Sequence, residues 1–475
     1  MDTLPLYLAN RPSASSRTLE VRDKHSGALF ARVARAGPAE LERAIAAAHA
    51  ARPAMARLPA WKRRDALAQL AMRCEAEREA LARILCAEAG KPLVDSRGEV
   101  TRLIDTLRIA AEESTRIGGE WLPMDVNARC EGRWAVWKRV PIGACSFITP
   151  FNFPLNLAAH KLAPAIAAGC PFVLKPASAT PVSALRLGAW LAECDLPPGA
   201  FSILPMDSSE ASALVEDPRL ALLSFTGSPA VGWDMKRRAG RKKIALELGG
   251  NAAVIVEPQT ELADCAERIL FGAFYQSGQS CIKTQRIYAH ISIYAELRER
   301  LLQGLVAWPS GDPHAESTRI GPLIDEREAM RLEQWIAEAA ARGATILCGG
   351  RRQGALLEPT LLEGVPEGCA ILDEEAFGPV AVLIPYTDFS AALRAVDRSR
   401  FGLQAGVFTR DLEQAQAAWN ELEVGAVMIN DVPSFRADHM PYGGVKDSGL
   451  GREGVRHAIE ELTELRLLVI RSVPR

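Results

Sequence analysis

Residues 222–232 read Leu222-Leu223-Ser224-Phe225-Thr226-Gly227-Ser228-Pro229-Ala230-Val231-Gly232. A short apolar run of strand length ends in a turn of Gly and Ser, and Pro229 stands where a helix can open. Such a strand-to-helix turn leaves backbone N–H groups unpaired at the helix start, where they and the helix dipole suit a phosphate. It is not the GxGxxG fingerprint, and a turn of this composition is often only a turn. Its context is more informative. Cys145-Ser146-Phe147-Ile148, Phe172-Val173-Leu174 and Phe201-Ser202-Ile203-Leu204 are similar apolar runs, each followed by a helix-compatible segment. That rhythm, between residues 142 and 256, predicts a doubly wound parallel sheet for binding a nucleotide.

On the C-terminal side a second α/β unit is expected from about 257 to 445. It has helices at 261–275, 293–306 and 325–342, and strands at Thr345-Ile346-Leu347, Val380–Ile384 and Ala426–Ile429. On the N-terminal side, residues 38–116 read as helices. One starts at Pro38, with Leu41, Ile45 and Ala48 on one face; another periodic run covers Trp61 to Glu88 and stops at Gly90-Lys91-Pro92. Arg133–Lys138 and Leu465–Ile470 alternate apolar and polar residues like exposed edge strands. Edges are usually paired or covered, so both are candidates for subunit contact.

The chain has 475 residues, 48% hydrophobic and 24% charged, with a formal net charge of −2. This is a globular composition long enough for two or three structural units. It gives no reason to expect nucleic acid or an acidic membrane as partner. Ten cysteines form no CxxC and no Cys/His cluster, so reduced thiols and no metal are expected. Met1-Asp2-Thr3-Leu4-Pro5 lacks a basic region followed by an apolar run, and no stretch reaches 18 uninterrupted apolar residues. A cytoplasmic protein is the expectation.

Three residues stand out chemically. Cys281, in Gln276-Ser277-Gly278-Gln279-Ser280-Cys281, is flanked by Gly and small polar residues, unlike a structural core cysteine. Glu247, in Leu246-Glu247-Leu248-Gly249-Gly250-Asn251, is a carboxylate in an apolar run; its neighbours would raise its pKa toward that of a general base. Otherwise it is an edge-strand or capping carboxylate. Asn152, after Ile148-Thr149-Pro150-Phe151, is either a turn former or an amide donor to a developing oxyanion.

These segments, with Leu174-Lys175-Pro176, Glu375-Ala376-Phe377-Gly378-Pro379 and Pro441-Tyr442-Gly443-Gly444-Val445-Lys446, together resemble the aldehyde dehydrogenase superfamily. Their order and spacing are close to the family's own, over roughly residues 20 to 470. The resemblance implies a Rossmann-like NAD(P)-binding domain (1–121 and 142–250), a second α/β catalytic domain (251–445), and an oligomerisation arm with the C-terminal segment (122–141 and 446–475). A homodimer or homotetramer is implied. So are the roles: Cys281 as nucleophile, Asn152 and the Cys281 N–H for the oxyanion, and Glu247 for the hydrolytic water. Lys175 is expected at the adenosine ribose, Ser228 at the pyrophosphate, Glu375 at the nicotinamide ribose and Phe377 against the nicotinamide. Ile148, Thr149, Pro150, Phe151, Ser178, Phe225, Gly227, Val231, Leu248 and Gly249 fall on the same cofactor side. CoA-acylating members generally lack a glutamate at position 247, so the resemblance is to the hydrolytic branch.

Two departures bear on specificity. Many NAD-preferring members carry a Glu where this chain has Ser178, and a hydroxyl does not repel a 2′-phosphate, so NADP is expected to be accepted as well as NAD. Where many relatives place a Trp, this chain has His160. The segments around His160 and Arg436-Ala437-Asp438-His439 resemble a lactaldehyde- and phosphonoacetaldehyde-dehydrogenase-like subgroup. By that resemblance Arg102, Phe153, Leu157, His160 and Arg436 form the substrate end, with Lys283 a weaker candidate. Asn152, Phe153, Leu157 and His160 have helical spacing, and Arg102 and His160 are expected to make a polar or cationic end to the pocket. The expected substrate is a short polar aldehyde bearing a hydroxyl, carboxylate or phosphonate. The competing readings are a cofactor-independent thiol esterase, separable by omitting cofactor, and a non-catalytic relative, which would lack the thiol or the carboxylate.

Overall fold

The structure, a computed structural model, describes residues 2–472. Met1, in the N-terminal stretch read above, and residues 473–475 of the C-terminal segment lie outside the described residues. The apolar runs do form parallel strands. Ala144–Ile148, Phe172–Lys175, Phe201–Ile203, Leu220–Thr226 and Lys243–Glu247 pair in the spatial order 243–220–144–172–201. The first three of them in the chain therefore run outward in one direction and the last two in the other. Every residue of Ala144–Ile148 is buried, as a strand covered on both faces requires. Antiparallel edges close the sheet: Leu6–Leu8 and Arg11–Ser13 on one side, Gly449–Leu450 on the other.

The order reverses between Ala144–Ile148 and Leu220–Thr226, and a crevice opens beyond their carboxyl ends. Thr149–Asn152 leaves one strand there and Gly227-Ser228 the other. The second sheet is built on Ala252–Val256, flanked in parallel by Thr284–His290 and Gln404–Phe408. Glu247 ends a strand of the first sheet and Ala252 begins one of the second. Four residues, 248–251, join them. The carboxyl rim of one sheet thus faces the amino rim of the other, and Cys281, three residues before the Thr284 strand, sits on that second rim.

Two helices back the crevice. Leu93–Glu113 carries Arg102, and Asn156–Ala168 is buried on every side, as a helix apolar all round should be. The helix starts only at Asn156, so Asn152 and Phe153 belong to the turn before it and share no helical face with Leu157 and His160. The periodic run from Trp61 to Glu88 is two helices, Ala60–Ala76 and Arg78–Ala89. No Gly or Pro marks the break in the sequence.

The two expected edge strands pair with each other. Thr463–Arg471 lies antiparallel to Arg133–Pro141, which also pairs with Gly119–Leu122. Of the residues from 446 on, this strand joins that three-stranded sheet; Gly449–Leu450 extends the first sheet, and Val455, Ile459 and Leu462 join the first sheet's core. Among the described residues no helix is long and apolar enough to cross a membrane.

Candidate active site

Between the two rims lies a cavity of about 450 Å³. Cys281, Glu247 and Asn152 all line it, from three separate segments. Glycines allow the approach. A Cβ on Gly250 would collide with the Cys281 carbonyl oxygen, so the segment after Glu247 can lie directly on the segment carrying the thiol.

Cys281 follows three consecutive residues in the left-handed region: Gln276 (φ 53°), Ser277 (φ 55°) and Gly278 (φ 67°). Glycine adopts this freely, but the other two are strained and need support. It comes from outside the loop. The Gln276 N–H donates to Asp95 Oδ2 at 2.7 Å, its side-chain amide donates to the Asn152 carbonyl, and Ser277 Oγ donates to the Gly321 carbonyl at 3.0 Å. These bonds hold the loop from three separate segments.

The Cys281 thiol is half-buried, and desolvation pushes it up to about 12, with the bond to Tyr442 opposing the rise. Sγ and the Tyr442 hydroxyl are 3.1 Å apart. Asn152 Nδ2 donates to the Gln279 carbonyl at 3.1 Å. That bond uses one amide hydrogen, fixes the plane, and leaves the other free. The Cys281 backbone N–H has no partner among the described residues. Two donors are therefore available at the nucleophile, as an oxyanion requires.

Glu247 is buried, and neither carboxylate oxygen has a hydrogen-bond partner. Burial, reinforced by repulsion from Glu453, raises its pKa well above the carboxylate range; Arg436, Lys161 and Arg452 oppose the shift. Glu453 is the contrasting member of the pair. Burial alone would raise it, but Lys161 at 3.0 Å and Arg436 at 3.2 Å hold it at about 2. Two neighbouring buried carboxyls are thus pushed in opposite directions, Glu247 up and Glu453 down.

At the far end, Arg102, Phe153, Leu157 and Arg436 line the cavity. His160 does not. It is buried, with Nε2 2.8 Å from Asp438 Oδ1; a carboxylate can only accept, so Nε2 carries the proton. Burial, with Arg436 nearby, lowers its pKa. Arg102 is not the unpaired cation its sequence neighbours suggested, because Asp438 accepts from its Nη2 at 2.7 Å and its Nε at 3.2 Å. Asn156 completes the cluster with a 3.1 Å bond to the same carboxylate. Burial would raise the Asp438 pKa, but His160 and Arg102 draw it far below the usual range. The expected cationic end is a buried carboxylate tying Arg102 and His160 together, with only Arg102 presented to the cavity. Lys283 also points elsewhere; its ammonium donates to the Val380 carbonyl, and burial lowers its pKa to about 7.

Toward the first sheet the cavity reaches Pro150, Phe151, Gly227, Ser228, Leu248, Gly249, Glu375 and Phe377. The Phe225 ring lies under Gly227, Ile148 is the strand partner of both Phe225 and Lys175, and Thr149 is buried next to it. Val231 is exposed on the first turn of the Pro229–Arg238 helix. This side suits a dinucleotide. The nearly buried Lys175 ammonium has no hydrogen-bond partner among the described residues, an expense for a desolvated charge unless a ligand completes it. No side chain caps the Pro229–Arg238 helix, so its first N–H groups are open to a phosphate. Phe377 stands edge-on to Phe151 at 5.8 Å. Beside them Glu375 accepts from the Gly250 N–H at 2.9 Å, and burial raises it to about 7.

Sequence reasoning missed Tyr442, Glu453, Asp438 and Tyr275, as well as Glu328 and Arg331, which line the cavity near Glu375. Tyr442 and Asp438 stood inside quoted motifs. Lys161, an ammonium within a mostly apolar helix, was the one signal that a buried carboxylate must lie opposite.

Comparison with known proteins agrees with this geometry. Residues 11–468 match the model of the aldehyde dehydrogenase family. A 3-sulfolactaldehyde dehydrogenase of Priestia aryabhattai is 40% identical over 466 residues, covering 98% of this chain and 97% of the relative. The crystal structure of aldehyde dehydrogenase 21 from Physcomitrella patens, in complex with the reaction product succinate, superposes with a TM-score of 0.97 at 46% identity, covering 99% of each chain. That of an NADP-dependent glyceraldehyde-3-phosphate dehydrogenase from Bacillus halodurans C-125, complexed with NADP, gives 0.96 at 32% identity and full coverage of both chains. With the thiol, the buried carboxyl and the dinucleotide crevice in one cleft, the chain belongs to the aldehyde dehydrogenase family, and it is an NAD(P)-dependent enzyme.

Proposed function

We propose that this enzyme oxidises a short aldehyde carrying an acidic group, a carboxylate or sulfonate a few carbons from the carbonyl, to the corresponding acid. The observation that carries the reading is that Arg102 and Arg436 line the same cavity as Cys281 and both keep N–H groups uncommitted. Asp438 takes only the Nε and one Nη of Arg102, and the buried Nε of Arg436 has no partner. At this end Arg102, Arg436 and Lys161 face Asp438 and Glu453. Of these cations Arg102 and Arg436 reach the cavity wall, and Arg102 has an Nη left for an acidic substrate group. The relatives named above fit this class, since sulfolactaldehyde and succinate both carry such a group.

In this reading the Cys281 sulfur attacks the aldehyde carbon, and the resulting oxyanion takes hydrogen bonds from Asn152 Nδ2 and the Cys281 N–H. The chemistry supplied by bound NAD(P) is hydride acceptance, which turns the thiohemiacetal into a thioester. Glu247 then takes a proton from the water that hydrolyses the thioester, and Cys281 is released. Lys175, Ser178, Ser228, Glu375 and Phe377 are the residues that would hold the dinucleotide, in a unit built on the first sheet; the second sheet carries the thiol. The arm supports a homodimer or homotetramer, for Leu465, Leu467, Leu468 and Trp121 are large apolar side chains left in solvent by this single chain. All ten cysteines are free, in keeping with a cytoplasmic, reducing setting.

The test is an initial-rate screen of short neutral and anionic aldehydes with NAD and NADP in parallel, repeated with Arg102→Leu. Loss of the guanidinium removes a charge-assisted bond and leaves the Asp438 carboxylate short of one cation behind the cavity wall. KM for the best anionic aldehyde should rise roughly tenfold or more, with kcat falling less than kcat/KM and propanal barely affected. Equal losses for charged and neutral aldehydes would overturn the substrate class.

Ser178 supplies a test of the cofactor side. Its Oγ donates to the Met206 carbonyl at 3.1 Å, in the turn that follows Lys175. Ser178→Glu should raise the NADP dissociation constant by about one to two orders of magnitude through repulsion of the 2′-phosphate and change that of NAD little. Fluorescence titration measures both. Unchanged NADP binding would remove Ser178 from the 2′ position.

A further inference from the structure

We propose that Tyr442 is a further catalytic residue, whose phenol donates a hydrogen bond to the Cys281 sulfur and stabilises it as a thiolate. The inference rests on the reading of Cys281 as the nucleophile. Three observations carry it. The phenol is buried at 2% exposure, and its one partner among the described residues is Sγ, at 3.1 Å. A buried hydroxyl normally bonds backbone or another polar side chain; this one is committed to the reacting atom. The Arg436 guanidinium lies 3.6 Å from the centre of the Tyr442 ring, and Glu453 holds that guanidinium in turn at 3.2 Å. A cation over the ring draws on its electron density and strengthens the O–H as a donor.

The direction of the bond follows from the chemistry of the two groups. A thiol can donate or accept, but a thiolate can only accept, so ionisation of Cys281 turns the phenol into an obligatory donor and shortens and strengthens the contact. The stabilisation therefore belongs to the charged sulfur more than to the resting thiol, which is the condition for assisting attack. No proton leaves the phenol. Desolvation, with Cys281 and Glu247 nearby, keeps its pKa well above the ordinary tyrosine value, so it is a donor and not a base. The thiol proton goes instead to a base such as Glu247 or to water, and the sulfur lone pair forms the S–C bond as the carbonyl π pair moves to oxygen. Arg436 then has two uses: it lines the cavity, and it lays its charge on Tyr442.

Tyr442→Phe removes the hydroxyl and keeps the ring under Arg436. A hydrogen bond to a charged group is worth about one to two pH units of thiol ionisation. Part of the loss of thiolate is offset by the greater nucleophilicity of a more basic sulfur. Iodoacetamide alkylation of Cys281, located by mass spectrometry and followed at several pH values below the thiol's titration, should therefore slow by roughly three- to tenfold. The pH dependence of thiolate absorbance should move upward, and NADP titration should match wild type, showing an intact fold. Unchanged alkylation and an unmoved titration would overturn the proposal. A separate failure of the nucleophile assignment would show in Cys281→Ala, which would keep its turnover whether or not the Tyr442→Phe titration moves.

Discussion

Cys281→Ala is expected to lower aldehyde turnover by about four orders of magnitude or more while leaving NADP binding within about twofold of wild type. The expectation has this size because the thiol is not one of several interchangeable groups in the cleft. Among the cavity-lining side chains it alone is a sulfur nucleophile, and the Asn152 amide lines the same cavity with one hydrogen uncommitted. Alanine is tolerated locally, since the turn at 281 needs no special backbone and the strained residues before it are held by Asp95, Gly321 and Asn152. Initial rates with NADP, equilibrium titration of NADP, and hydrolysis of an activated ester would be measured on one preparation. The ester activity should vanish together with the oxidation. Dehydrogenase turnover within tenfold of wild type would sink the assignment, and surviving ester hydrolysis would show that another group can be acylated.

Glu247→Gln should give the second largest effect and a different signature. Glutamine keeps the shape but cannot take a proton, so any acyl group placed on Cys281 should stay there. A burst of about one NADPH per site, then a steady rate lower by roughly two to four orders of magnitude, is the expected time course. Intact-protein mass spectrometry after mixing should find the acyl mass on Cys281. The wild-type pH profile adds a check. Burial and Glu453 raise the Glu247 pKa, so its active, deprotonated form gains population as pH rises through a range above that of ordinary carboxylates. The corresponding rise in kcat should be absent from the variant. Normal turnover by unmodified protein would remove Glu247 from deacylation.

The parallel strands were legible because a strand buried on both faces must be apolar without interruption, as Ala144–Ile148 is. That Cys281 stands on the cavity wall and not in the core was legible for the opposite reason, its polar and glycine-rich flanks. The substrate end was not. Arg102 bonds a carboxylate 336 positions away, and no periodicity records such a partnership. Lacking Asp438, the sequence made His160 and Arg102 look like two free cations when one is a neutral ring and the other is half neutralised. The helical spacing from Asn152 to His160 misled similarly, since a turn and a helix can imitate one face. The break at Glu77 went unseen because the apolar period runs straight through it.

The carboxylate of Asp438 answers to three elements at once: the Arg102 helix, the His160 helix and the loop that bears it. Substitutions at these positions are therefore not independent. A descendant of this enzyme that turned to uncharged aldehydes could not simply discard Arg102, for that step strands a buried anion, nor discard Asp438 first, for that strands the guanidinium. Either single change costs stability even where turnover of a neutral aldehyde survives it, and the cheaper route replaces both together or neutralises the carboxylate to an amide beforehand. Epistasis at this one cluster would hold a lineage to acidic substrates long after selection for them had relaxed.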